Sequence, residues 1–275
     1  MAKLTKLQRK NHEQACKLLE KDVLTFDDKI FVLENWHEGA NHVNSAAGAF
    51  FTPCGLARDF AIDAGGGRSV IDLCAGIGGL MFWLIVDRRA RPEDGRLVCV
   101  EMNPDYVAVG KKVVPEAEWI QADVLNLPAD IGTFDLAVSN PPFGTTPRKG
   151  SAPRYKGRRF EYHVMDVAQD LASYGAFIIP QSSASFVYSG QRHYRETITD
   201  EIASFQSVTG IEMQSGCGID TGFYLNDWHD VKPMCEVVTV DFDNSRAARI
   251  AAGVMAAAAA GDFDAEPVAV QATLF

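Results

Sequence analysis

Val70-Ile71-Asp72-Leu73-Cys74-Ala75-Gly76-Ile77-Gly78-Gly79-Leu80 is the stretch whose reading decides the fold. An apolar run from Val70 to Leu73 leads directly into a glycine-rich turn, and the apolar segment Leu80 to Val86 behind it reads as a helix. Glycine has no Cβ, so the turn can reverse sharply and bring backbone close to a ligand. The spacing Asp-x-x-x-Gly-x-Gly departs from the dinucleotide fingerprint Gly-x-Gly-x-x-Gly, because Met81 stands where the third glycine would be. It suits a cofactor without a pyrophosphate.

Downstream, the pattern repeats. Leu97 to Glu101, Trp119 to Gln121 and Phe134 to Val138 read as further strands after Ser69 to Leu73, with a helix over Pro104 to Val113. A helix over Tyr162 to Ala172, a buried run at Ala176 to Ile179 and a late antiparallel edge strand at Glu236 to Phe242 follow. Strands alternating with helices predict βαβ units, hence an α/β fold with a mostly parallel sheet flanked by helices. Upstream, residues 3–21 and Phe26 to Trp36 read as helices, the second capped by Thr25, and Leu56 to Ile62 as a third. Residues 244–260 are alanine-rich and helical, ended by Gly261 and followed by a mobile tail with three acids and no base. The expected organisation is a helical extension (1–44), one main domain (45–243), and a terminal helix with a tail (244–275).

The chain has 275 residues, 47% hydrophobic and 23% charged, the composition of a globular protein. No apolar run approaches the length of a membrane span, and no secretory signal is read at the N-terminus. Cys16, Cys54, Cys74, Cys99, Cys217 and Cys235 show neither CxxC pairing nor zinc-finger spacing. They read as reduced thiols of a cytoplasmic protein, with no metal site expected. The formal charge of −10 counts against a protein that coats nucleic acid with a basic surface. One segment departs from that average. Gly144 to Phe160 holds Arg148, Lys149, Arg154, Lys156, Arg158 and Arg159 with no acid. With its glycines and prolines it reads as a mobile loop that contacts phosphates, Tyr155 adding an aromatic.

The strand ends carry acids. Besides Asp72, Glu101 closes the second strand, where a carboxylate can accept both hydroxyls of a ribose. Asp123, in Gln121-Ala122-Asp123-Val124, closes the third, placed for an adenine amino group. Together with the glycine turn, these acids resemble the S-adenosylmethionine site of class I methyltransferases over residues 45–180. The resemblance implies a Rossmann-like fold, S-adenosyl-L-methionine as cofactor, and cofactor contacts from Asp72, Ala75, Gly76, Gly78, Glu101, Met102, Asp123 and Val124.

After the fourth strand comes Ser139-Asn140-Pro141-Pro142-Phe143. An exocyclic amine is a poor nucleophile because its lone pair is delocalised into the base. Two acceptors, the Asn140 side-chain carbonyl and the Pro141 backbone carbonyl, could hold its two N–H groups and favour a pyramidal nitrogen. Pro141 and Pro142 fix the backbone direction, and Phe143 can stack on an extruded base. Asn-Pro-Pro-Phe is similar to the catalytic motif of amino-directed methyltransferases, which makes Asn140, Pro141, Pro142 and Phe143 the expected catalytic set, with Asn140 also bordering the cofactor. Cytosine C5 methyltransferases share a turn like Asp72 to Gly79, but they need a Pro-Cys nucleophile where Asn140-Pro141-Pro142 stands.

Gly48-Ala49-Phe50-Phe51-Thr52-Pro53 resembles the motif that N6-adenine DNA methyltransferases place before the cofactor strand, which implies that Phe51, Thr52 and Pro53 cover the methionine part of the cofactor. The expected activity is methyl transfer to the N6 of adenine in double-stranded DNA. Ribosomal RNA N6-adenine methyltransferases also use Asn-Pro-Pro-Phe-Gly followed by Lys-Gly, as at Lys149-Gly150, so RNA is the alternative substrate. A non-catalytic nucleic-acid adaptor is the alternative outside enzymes. The terminal Gln271-Ala272-Thr273-Leu274-Phe275 resembles peptides that dock on the bacterial sliding clamp, implying Gln271, Leu274 and Phe275 as clamp contacts.

Overall fold

The computed structural model describes residues 4–37, 50–93 and 95–259. Helices α1 (Lys6–Leu18), α2 (Phe26–Asn35) and α3 (Cys54–Asp63) precede the first strand. Thr25 caps α2 as expected: its hydroxyl accepts the Asp28 amide while the Asp28 carboxylate accepts the Thr25 amide. Then come β1 (Val70–Asp72), α4 (Gly79–Val86), β2 (Leu97–Glu101), α5 (Pro104–Val113), β3 (Glu118–Gln121) and β4 (Phe134–Ser139). The chain continues through α6 (Phe160–Ala168), β5 (Ala172–Pro180), the short hairpin strands β6 (Phe186–Val187) and β7 (Arg195–Glu196), α7 (Asp200–Thr209), β8 (Cys235–Asp241) and α8 (Phe242–Ala259).

Six strands form the central sheet in the order β3-β2-β1-β4-β5-β8, parallel except for β8, which runs antiparallel to β5. The expected α/β class and the late antiparallel strand are both present. Strand alternation divides the side chains between two cores. Val70, Leu97, Cys99, Leu136, Val138, Ala176 and Ile178 face one core, built with α2 to α5. Ile71, Val98, Val100, Phe134, Ala137, Phe177 and Ile179 face the other, under α6, α7 and Phe242 of α8. The two N-terminal helices do not stand apart, since Ala15, Leu24, Val32, Leu33 and Trp36 join the first core.

Two strand boundaries differ from expectation. β5 begins at Ala172, inside the stretch read as helix, because Ala172, Ser173 and Tyr174 sit beside Phe134 and Leu136 in the ladder. α8 begins at Phe242, whose ring is fully buried against Phe177. The strand order reverses between β1 and β4, and in open α/β sheets ligands bind outside the carboxyl ends at such a switch point. Gly48, Ala49 and the terminal Gln271, Leu274 and Phe275 lie outside the described residues.

Candidate active site

At the carboxyl ends of β1, β2, β3 and β4 lies one cleft. Of the residues expected at the cofactor, it is lined by Phe51, Gly76, Glu101, Met102, Asp123, Val124 and Asn140. Thr52 and Ala75 line an adjoining recess that shares Phe51, Gly76 and Asn140. Glu101 closes β2, and its two oxygens accept one amide each: Gly76 N at 2.9 Å on Oε2 and Asn103 N at 2.8 Å on Oε1. Each oxygen keeps a second lone pair for a ligand hydroxyl. Burial pushes this carboxyl above its ordinary value, and the amides pull against it. Asp123 uses Oδ1 to accept the Leu125 amide at 2.9 Å. Gly76 has a φ of +54°, and a Cβ on it would meet the Phe51 ring at 3.1 Å, so glycine permits both the turn and the close aromatic wall.

Three expected contacts lie elsewhere. Asp72 is fully buried beneath the cleft rather than in its lining, and burial, with Glu101 adding to it, pushes its carboxyl up to about 8. Gly78 turns away from the cleft: a Cβ there would meet Val114 at 2.9 Å and Trp119 at 3.1 Å, so this glycine seats α4 against its neighbours. Pro53 starts α3 and lines a neighbouring recess that shares Phe51 and Thr52 with the one beside the cleft and extends to Asp227 and His229.

Asn140 follows β4 at the edge of both cavities. Its Nδ2 donates to the Phe50 carbonyl and to the Thr52 hydroxyl, both at 2.9 Å. These two acceptors fix which end of the amide is nitrogen. The Oδ1 atom is buried and has no hydrogen-bond partner among the described residues. A buried carbonyl without a donor is costly, so the arrangement holds an acceptor ready for a ligand N–H. Pro141 is buried, while Pro142 and Phe143 are half-buried. The Phe143 ring meets Trp228 edge-on at 6.4 Å.

Tyr106, Phe50 and Phe160 also line the cleft, none of them among the cofactor contacts expected from the sequence. Tyr106 packs edge-on against Phe51 at 4.9 Å and against Trp36 at 5.6 Å. The signal for Tyr106 was its place two residues into the helix that follows Glu101.

No protein-family model and no curated protein sequence matches the chain. Solved structures do. A Listeria monocytogenes protein assigned to the class I S-adenosylmethionine-dependent methyltransferases aligns over 84% of this chain and 79% of its own, at 13% identity and a TM-score of 0.52. The methyltransferase subunit of a type I restriction-modification system from Streptococcus thermophilus aligns over 81% of this chain at 15% identity and a TM-score of 0.51. This chain spans about half of that subunit, 51%. The fold is that of the class I methyltransferases. A Pyrococcus horikoshii protein assigned as an RNA methyltransferase aligns over 79% of this chain and 98% of its own, at 14% identity and a TM-score of 0.47. Identities this low establish the shared fold alone.

On this class I methyltransferase fold, the segment 144–159 joins β4 to α6, and it is tied down rather than mobile. Three fully buried side chains of α6 hold it: Glu161, His163 and Asp166. Glu161 accepts the Gly144 amide at 2.8 Å. Asp166 accepts the Arg154 amide at 2.7 Å and the Tyr155 amide at 2.8 Å through one oxygen. His163 accepts the Ala152 amide on Nδ1 and reaches the Gly157 carbonyl from Nε2, both at 3.0 Å, which defines the neutral Nε2–H tautomer. Burial lowers its pKa in agreement.

This inverts the expected use of three of the six bases. Arg154 pairs with Asp166 at 2.7 Å and with Asp170. Arg159 pairs with Glu201 at 2.6 Å and donates to Ser183 at 2.6 Å. Arg148 donates to the Gly157 carbonyl at 2.7 Å. Tyr155, expected on the surface, is buried against Tyr162, His163 and Phe205. Lys149, Lys156 and Arg158 stay exposed, and Lys156 reaches the Ala152 carbonyl at 2.5 Å.

Proposed function

We propose that the protein transfers a methyl group from S-adenosylmethionine to the N6 amino group of adenine in DNA. The observation that carries this reading is the buried, unpartnered Oδ1 of Asn140, oriented by Phe50 and Thr52 at the rim of the cleft. The cleft fits the cofactor: Glu101 has free lone pairs at the strand end, and Phe51, Val100, Tyr106 and Val124 supply apolar walls. Glu101 would take the ribose hydroxyls, Asp123 the adenine amine, and Gly76 would leave room for the methionine portion. When bound, the cofactor supplies an electrophilic methyl group.

The chain's own part is to present the amine. Asn140 Oδ1 accepts one N–H and the Pro141 carbonyl the other, which draws the lone pair out of conjugation and aims it at the methyl donor. Proximity and orientation then do most of the work. Phe143, braced by Trp228, gives an extruded base a face to stack on. The proton lost by the methylated amine passes to solvent.

Incubation with labelled cofactor and either duplex DNA or RNA, followed by digestion to nucleosides, tests the reading. N6-methyldeoxyadenosine from DNA is expected. Label in RNA alone would make the protein an RNA methyltransferase, and label in neither would leave it a non-catalytic binder. We also propose that Gln271, Leu274 and Phe275 dock on a sliding clamp, Leu274 and Phe275 filling an apolar pocket.

A further inference from the structure

Three arginines of the 144–159 segment are spent on internal partners, Arg154 and Arg159 on acids and Arg148 on a carbonyl, so further cations that face solvent are sought elsewhere. The chain leaves β5 at Pro180 and re-enters the sheet at Cys235, and these two residues are partners in the antiparallel ladder. The chain therefore emerges after Pro180 at the carboxyl edge of the sheet, the edge that bears Asn140, before α7 folds back under the sheet. The first structure there is the β6–β7 hairpin, whose tip reads Gly190-Gln191-Arg192-His193-Tyr194-Arg195. All six are exposed, and neither Arg192 nor Arg195 has an acceptor among the described residues.

The hairpin is built to stand firm. Glu236, fully buried in β8, accepts the amides of Tyr188 at 2.8 Å and Ser189 at 3.0 Å and the Gln181 side chain at 2.7 Å. Asp220 accepts the Gly190 amide at 2.8 Å and, through the same oxygen, the Gly222 amide at 2.8 Å. Glu236 and Asp220 are thus engaged on amides, while Arg192 and Arg195 are exposed; Glu196, itself exposed, is the one acid within Phe186 to Glu196. Next to Gly222 stands Phe223, 81% exposed, and the same segment carries Trp228 to the Phe143 ring. Asp220, which accepts both the Gly190 and Gly222 amides, joins the start of the hairpin tip to the segment that carries Phe223 and Trp228.

We propose that the β6–β7 hairpin and Phe223 form the face that grips duplex DNA, with Arg192 and Arg195 on phosphates and Phe223 against the bases beside the extruded one. This rests on the adenine-DNA reading above. Guanidiniums with no internal partner match phosphate oxygens, and an exposed aromatic beside them matches the gap that base extrusion leaves.

The test is binding of a labelled duplex by anisotropy across a salt series, for the full chain and the variants R192Q/R195Q and F223A, alongside methyl transfer to the same duplex. Each phosphate contact contributes about 0.9 to the slope of log K against log salt. R192Q/R195Q should weaken binding about tenfold or more at low salt and reduce the slope by about two. F223A should weaken binding with the slope unchanged. Unaltered affinity and slope in R192Q/R195Q, with the wild type still methylating DNA, would overturn the hairpin while leaving the activity standing. Absence of methyl transfer to DNA by the wild type would remove the reading beneath it. Tighter binding of single-stranded RNA through the same arginines would overturn duplex DNA as the partner.

Discussion

Asn140 spends its nitrogen on the protein and keeps its oxygen for a ligand. Asn140→Ala removes both, so methyl transfer should fall by about a hundredfold or more, while cofactor affinity measured by calorimetry should change far less. Near-normal turnover would end the assignment of Oδ1 as the amine acceptor. Asp72 offers a test that needs no substrate. Its carboxyl is pushed up to about 8 in the folded protein, chiefly by burial, against an ordinary value near 3.9. Below about pH 4 the group is neutral in both states and costs nothing. As pH rises towards 8 the unfolded chain ionises while the folded one retains its proton, so the wild type loses up to about 1.4 kcal/mol per pH unit from this group. Asp72→Asn lacks that loss. The melting temperature of the variant relative to wild type should therefore climb from pH 5 to pH 8; parallel curves would show that the buried proton is absent.

Helix α6 does more than cover the sheet. Glu161, His163 and Asp166 convert the loop behind Asn-Pro-Pro-Phe into a fixed wall by occupying its amides. Asp166→Ala leaves the Arg154 and Tyr155 amides without their acceptor and Arg154 with Asp170 as its remaining acid, and should cost about 3 kcal/mol. Trypsin should then cut between Lys149 and Arg159 much faster than in the wild type; equal rates with equal thermal stability would mean the tether is idle. The same loop marks where sequence reading stopped. The glycine turn, Glu101, Asp123 and Asn-Pro-Pro-Phe were legible because each follows an apolar strand and its chemistry is local. The fate of Arg154 was not, since its partners lie a helix away and read as ordinary polar residues of that helix. Tyr106 and Phe160 were harder to read: position after Glu101 brings Tyr106 near the site, but the residue type alone does not distinguish an aromatic that lines a cleft from one that fills a core. Asp72 looked equivalent to Glu101, and only the depth of β1 within the sheet separates them.

Across the whole molecule, charge is unevenly placed. Glu161, Asp166 and Glu236 are buried on internal donors, while the arginines of the hairpin are exposed. The net charge of −10 is an average over the chain and does not describe the hairpin face. At this scale the terminal peptide is separable from the chemistry. A chain ending at Ala259 should lose affinity for the sliding clamp and keep its specific methylating activity in a clamp-free assay; retained clamp binding would exclude Gln271, Leu274 and Phe275.

The pairing of Pro180 with Cys235 has a consequence for how such a protein can change. The stretch from Gln181 to Met234 leaves and returns within one strand spacing, about 4.8 Å, and its closure cost grows only slowly with length. The ladder would hold a shorter or longer insert with the same ends. Ile202, Phe205 and Trp228 tie much of that stretch to the core and to Phe143, so the part open to exchange is the exposed hairpin tip, Gly190 to Arg195, which could vary while the machinery around Asn140 stays as it is.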